Sequence, residues 1–159
     1  MTRVWPTPAA INNLYMRVRA RRPAWFRLSA DIGMDDYGAF SDWVRAHLTW
    51  WYDLGDVIVP MCIDRHVAEI HPLFLGKVDM ARLGGVLTDM ATCGIRRVEV
   101  PLVWPGHTVR RILRQLGFQL EGILRNRERV KSGTVGEYTY MDVELWARLI
   151  EGDNDGKAE

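Results

Sequence analysis

Apolar residues in this chain recur first at helical spacing. After Thr7, a plausible cap, and Pro8, which suits a first helical turn, Ile11, Leu14, Tyr15 and Val18 fall on one stripe. They predict an amphipathic helix with an arginine face, set against the readings of a nucleic-acid arm or a transit peptide. From Asp35 to Trp51, Tyr37, Phe40, Trp43, Val44, His47 and Leu48 repeat the pattern and predict a second, core-facing helix. The rhythm then changes. After a Leu-Gly-Asp turn, VIVPMCID and HVAEIHPLFL are two strand-like runs separated by Asp64 and Arg65, which reads as a hairpin. Pro60 and Pro72 lack an N–H and are expected at a strand edge or end.

The second half alternates between the two periods. Asp79 to Cys93 places Met80, Leu83, Leu87 and Met90 on one stripe, with Asp79 at the positive helix start and Gly94 just past the end. IRRVEVPLV alternates Val98, Val100 and Leu102 against Arg97 and Glu99, a strand with one buried face. GHTVRRILRQLG is again helical: Val109, Ile112, Leu113 and Leu116 form its stripe, Arg110, Arg111 and Arg114 its other side, and Gly117 its end. FQLEGILRNRERV and EYTYMDVEL predict two strands joined through SGTVG, with a short last turn over Trp146 to Ile150. Hairpin, two crossovers and a second hairpin make an α/β domain, a mixed central sheet with helices on both faces.

Composition narrows the class. At 159 residues, 48% hydrophobic and 26% charged, the chain suits one domain over residues 1–150. No stretch approaches the roughly 18 apolar residues of a membrane helix. Cys62 and Cys93 form no CxxC pair, so neither a disulfide scaffold nor a ribbon-type zinc site is indicated, and a reducing, cytoplasmic setting is expected. The net charge of +1 is a cancellation. Arg3, Arg17, Arg19, Arg21, Arg22 and Arg27 precede the first carboxylate, Asp31, whereas residues 151–159 form an acidic tail expected to be disordered.

Particular residues then carry a resemblance. A helix ending in Leu116, Gly117 and Phe118, then Glu121, Gly122, Leu124 and Arg125 on a strand, then a hairpin and an aromatic strand with Tyr140 and Asp142, resembles the closing half of the GNAT N-acetyltransferase superfamily. Ala68, Glu69 and Ile70 resemble that fold's fourth strand, where some members place a catalytic glutamate, so the likeness spans roughly Val57 to Trp146. The region of His71, Leu73 and Leu75 also resembles short-loop GNAT-like proteins often encoded by bacteriophages, which makes a virion the alternative location.

The resemblance implies acetyl transfer from acetyl-CoA to an amine on a small molecule or a protein. The strands holding Glu69 to Leu75 and Val98 to Val103 would splay, with the pantetheine arm along the exposed edge. Glu69 and His71 would be the catalytic pair, and Leu73, Leu75, Gly76, Lys77, Arg110 and Arg111 would contact the cofactor. Such proteins seat the diphosphate on a Gln/Arg-x-x-Gly-x-Gly/Ala loop at a helix start. Here His71, Phe74 and Gly76 keep that spacing, but only Gly76 keeps the residue type. Arg82, Leu83, Gly84 and Gly85 fall inside the helix, where the glycines read as close-packing or helix-softening positions. The family's tyrosine, which protonates the leaving thiolate, is Leu113 here, and its asparagine is Gly106.

Each candidate has a plainer reading. Glu69 is also a solvent-facing or salt-bridged strand residue, and His71, on the same strand face, a hydrogen-bonded structural histidine. Cys62, His66 and His71 match no standard zinc spacing, so no metal is expected. His107, Arg110, Arg111 and Arg114, with Arg125, Arg127, Arg129 and Lys131 on one side of a strand by alternation, are a solvated basic surface or a sequence-independent nucleic-acid contact. Adjacent Trp50 and Trp51 cannot face the same way, so one is expected at an interface with a protein partner or a second copy. The alternative to an enzyme is a catalytically silent GNAT-like binding or structural module.

Overall fold

The structure, a computed structural model, describes residues 1–21, 36–103, 106–131 and 138–150. The elements run β1 (Thr2–Val4), α1 (Pro8–Arg21), α2 (Tyr37–His47), β2 (Trp50–Asp53), β3 (Val57–Asp64), β4 (Val67–Ile70), β5 (Leu73–Phe74), α3 (Met80–Thr92), β6 (Arg97–Val103), α4 (His107–Gln115), β7 (Gln119–Lys131) and β8 (Tyr138–Leu149). One sheet runs β1-β2-β3-β4-β6-β8-β7, with β5 added to β3. Among the described residues only the pairing of β4 with β6 is parallel. The acidic tail, the SGTVG link, Arg22, Arg27 and Asp31 lie outside the described residues.

Strand alternation divides the core in two. Val57, Val59, Met61, Val98, Val100 and Trp146 face α3 and α4, whose Leu83, Val86, Leu87, Met90, Ile112 and Leu113 close over them. Trp51, Ile58, Leu73 and Leu75 point to the other face, where Ile11, Leu14, Tyr15 and Val18 of α1 and Phe40 and Val44 of α2 cover them. Helices therefore lie on both faces, as the stripes predict. Caps follow the sequence too. Thr7 Oγ1 accepts from Ala10 N–H at 3.3 Å, and Asp79 Oδ1 accepts from Ala81 and Arg82 N–H at 3.0 and 3.1 Å. Gly94 and Gly117, at φ +80° and +79°, end α3 and α4 in a conformation that a side chain disfavours.

Six expectations need correction. The second helix stops at His47: Leu48 is already extended, and Trp50–Asp53 form β2, with Trp51 opposite Pro60. Aromatic residues suit a strand once a partner is present. The two tryptophans do point apart, as expected. Trp51 is 2% exposed, and half-buried Trp50 meets the Trp5 ring at 5.2 Å and the Arg3 guanidinium at 5.8 Å.

The hairpin after β3 turns at Arg65 and His66, one residue later than expected, so Cys62 stands opposite Glu69. Pro60 sits inside β3, not at an edge. A strand residue's N–H and C=O point to the same side, and Pro60 O accepts from His71 N–H at 3.1 Å. Its missing donor thus faces His71, and the paired β3–β4 ladder ends just before it, at Met61↔Ile70.

Trp146 to Leu149 continue β8 instead of forming a turn, and Ile150 N–H bonds to Arg96 O at 2.8 Å. In β7 the alternation of basic residues is broken. Between the pairs Leu124↔Val143 and Glu128↔Met141 three residues oppose Asp142 alone, with Asn126 at φ 49°. Finally, a Cβ built on Gly84 or Gly85 meets nothing within 4 Å, so these glycines soften α3 and permit no close contact.

Candidate active site

The site begins where two parallel strands part. β4 pairs with β6 at Val67↔Arg97, Ala68↔Val98 and Glu69↔Glu99, and there the ladder ends. β6 continues to Val103, bonded on its far side to β8. The chain after Ile70 leaves it, because Pro72 cannot donate and Leu73 and Phe74 pair instead with Ile58 and Val57 of β3. From Val100 onward β6 presents an edge that neither β4 nor β5 covers.

Glu69 marks the start of this wedge. Its Oε1 lies 2.8 Å from His71 Nε2, the two side chains sharing one strand face two residues apart. Cys62 stands across from Glu69 on β3, and the sulfur, imidazole and carboxylate ligating atoms all lie within 4.8 Å of one another. The His71 hydrogen bond holds the Glu69 carboxyl below its usual range, outweighing its partial burial. Burial disfavours a charged His71, yet the adjoining Cys62 sulfur and Glu69 carboxylate overcome that and push its pKa up to about 9. Glu69 and His71 thus stand as a carboxylate–imidazolium pair at neutral pH. Next to it, Glu99 is bound by Arg97 Nε at 2.6 Å, and the same guanidinium grips Glu121.

The loop leading to α3 is built differently. Leu75 and Gly76 donate their N–H groups to Asp56 O at 2.7 and 3.2 Å, and Lys77 donates to Asp56 Oδ2 at 3.3 Å. The Ala81 and Arg82 N–H groups in the first turn of α3 are taken by Asp79. Two carboxylates of the protein therefore occupy the ground where a diphosphate would look for backbone N–H groups. Gly76 is required there for a local reason: an added Cβ would lie 2.7 Å from Asp56 Cγ.

Other predicted positions are distributed as follows. Leu73 and Leu75 are buried beneath α1 and α2, while Gly76, Lys77 and Arg111 are exposed. Arg110 is committed to Glu144, with Nη2 to Oε1 at 2.5 Å, which draws the Glu144 pKa down. Leu113, 2% exposed, is sealed in the core. Gly106 caps α4 without a side-chain acceptor. His66 does not join Cys62 and His71; it turns to Gly94 O at 2.9 Å.

Several of the basic residues are spent on partners. Arg114 lies 5.5 Å over the Trp146 ring, Arg125 pairs with Asp142, and Arg17 pairs with Asp53 at 2.6 Å. Two surface clefts, of about 550 and 410 Å³, border the Arg97–Glu121 and Arg110–Glu144 pairs and not the wedge. Asp56 was missed by sequence reading, since nothing in its surroundings announces a contact 20 residues on. The convergence of Cys62 on Glu69 was hidden by the one-residue error in the hairpin turn.

A mixed sheet with a parallel pair that splays beyond a glutamate, and described helices on both faces, defines the GNAT fold. Solved structures bear this out. The acetyltransferase from Salmonella typhimurium that modifies an N-terminal serine of a 50S ribosomal protein superposes with a TM-score of 0.67 at 19% identity, over 94% of each chain. The spermidine N-acetyltransferase from Vibrio cholerae, in complex with CoA and spermine, superposes with a TM-score of 0.67 at 14% identity, over 93% of this chain and 94% of its own. A GNAT-family acetyltransferase from Streptococcus pneumoniae gives 0.63 at 16%, over 94% and 98%. No protein-family model matches the sequence, and no curated protein does. Among the described residues no helix is long and apolar enough to cross a membrane.

Proposed function

We propose that this chain is an N-acetyltransferase using acetyl-CoA and an amine acceptor on a small molecule or a protein. The observation that carries this reading is the β6 edge from Val100 to Val103, which no described strand pairs and which opens directly beyond Glu69. Pro101 has no N–H to offer, and the remaining backbone groups of this stretch suit the amides of a pantetheine arm, which can add to the sheet as another strand. The proteins of the same fold described above include a CoA complex, and those with a stated substrate act on amines. Bound acetyl-CoA would supply the activated acetyl group as a thioester.

The chain's own residues would then manage protons. Glu69 accepts a proton from the amine through water, and the His71 imidazolium, 2.8 Å away, holds the proton that a leaving thiolate needs, a task for which Leu113 has no group. Because the N–H groups of Leu75, Gly76 and Lys77 are bound to Asp56, phosphate contacts fall to the exposed Lys77 and Arg111 side chains.

A second reading, a non-catalytic GNAT-fold binding module such as a virion component, is favoured by the carboxylates of Asp56 and Asp79 at the phosphate position. Titration with acetyl-CoA and desulfo-CoA separates the two. Saturable stabilisation by several degrees supports a working cleft through mass action, and no shift at millimolar ligand overturns it. With binding established, Glu69→Gln should lower turnover at least tenfold at nearly unchanged cofactor affinity; equal turnover would remove Glu69 from the mechanism.

A further inference from the structure

We propose that Cys62, Glu69 and His71 form a three-ligand site for a borderline divalent transition metal, with zinc as the natural occupant. Two facts of strand geometry assemble it. Glu69 and His71 are two residues apart and share a face, and the β3–β4 register sets Cys62 directly opposite Glu69. Among the described residues this is the one place where three such donors converge, all within 4.8 Å. Donors on a tetrahedral zinc stand roughly 3.3 to 3.7 Å apart, given bond lengths of about 2.0 to 2.3 Å. Side-chain rotation of about an ångström closes the set without moving the backbone.

The donor chemistry selects the metal. One thiolate, one imidazole and one carboxylate suit zinc or cobalt, whereas magnesium and calcium prefer all-oxygen shells. Three protein ligands leave a fourth position open. The side chains are reachable, with His71 27% and Glu69 46% exposed. Binding releases the Cys62 thiol proton and the His71 proton to solvent and replaces the His71–Glu69 contact by two bonds to the metal.

One consequence rests on the acetyltransferase reading: a metal-bound Glu69 can no longer accept an amine proton, so the metal and the transfer reaction exclude each other.

Cobalt(II) added to the reduced full-length chain tests the site without reference to catalysis. One equivalent should produce a thiolate-to-metal charge-transfer band and strong visible d–d bands. Cys62→Ser should abolish the charge-transfer band and Cys93→Ser should leave it intact, while His71→Asn weakens binding at least tenfold. Absence of the band in the wild type, or its survival in Cys62→Ser, overturns the site. Should a variant fail to fold, alkylation of the wild type decides: zinc must protect Cys62 and not Cys93 from iodoacetamide, and equal labelling of both overturns the proposal. A cobalt signal without acetyl-CoA stabilisation would sink the enzyme and keep the metal site; stabilisation without a cobalt signal would do the reverse.

Discussion

The two ends of the candidate cleft follow opposite logic. At the wedge beyond Glu69 and Glu99 no strand among the described residues satisfies the hydrogen-bonding groups of β6. At the loop before α3 the N–H groups of Leu75, Gly76, Lys77, Ala81 and Arg82 are satisfied from within, by Asp56 and by Asp79. An edge of bare backbone invites an added strand, whereas a helix start already holding a carboxylate repels a second anion. A protein of this fold can thus keep the groove for an extended ligand while giving up the anion cradle at its end. Net affinity depends on which end dominates.

The largest effect that would break this contrast is expected from Gly76→Ala. The new methyl group would meet the Asp56 carboxyl at 2.7 Å, so Asp56 must turn away and release Lys77 N–H, costing about 1–2 kcal/mol. Urea unfolding measures it, and the double variant with Asp56→Ala should recover most of the loss. An undiminished cost in that background would show that the contact is not the cause.

Asp79 sharpens the comparison from the charge side. Asp79→Ala removes the α3 cap and should cost about 1 kcal/mol. Asp79→Asn keeps an acceptor and should cost only a few tenths, yet it should raise CoA affinity severalfold at low salt by removing the anion. Calorimetric titration that found equal CoA affinity in wild type and Asp79→Asn would mean that the closed loop is not what limits binding.

The smallest effect concerns the helix behind the loop. Gly84→Ala should raise stability by about 0.5–1 kcal/mol, since nothing lies within 4 Å of the added methyl group and alanine loses less freedom in a helix. A loss of stability on thermal unfolding would show that a softened α3 is needed by the fold.

Legibility in the sequence followed the range of the forces involved. The stripes of α1, α3 and α4, the Thr7 and Asp79 caps and the glycine stops at Gly94 and Gly117 were readable because each acts within a turn or two of its neighbours. Trp50 and Trp51 were misread as helical because their strand state depends on pairing with Met61 and Pro60, residues that periodicity near position 50 does not include. Trp146 was drawn into the end of β8 in the same way, by its pairs with Val100 and Leu120. Of the candidate site, Glu69 and His71 were legible as neighbours on one face. Cys62 became their partner only through a turn placed at Arg65 and His66.

By itself the sequence determined the stripes of the helices, the strands β3, β4, β6, β7 and β8, a sheet with helices on both faces and the pair Glu69 and His71, but not β1, β2 or β5, since hydrophobic periodicity and local capping act along the chain. Tertiary structure alone decided that β4 and β6 part after Glu69, that Asp56 closes the loop at Gly76, and that Cys62 meets His71. Each of these depends on the register between strands distant in sequence, and register is set by the packing of the whole sheet.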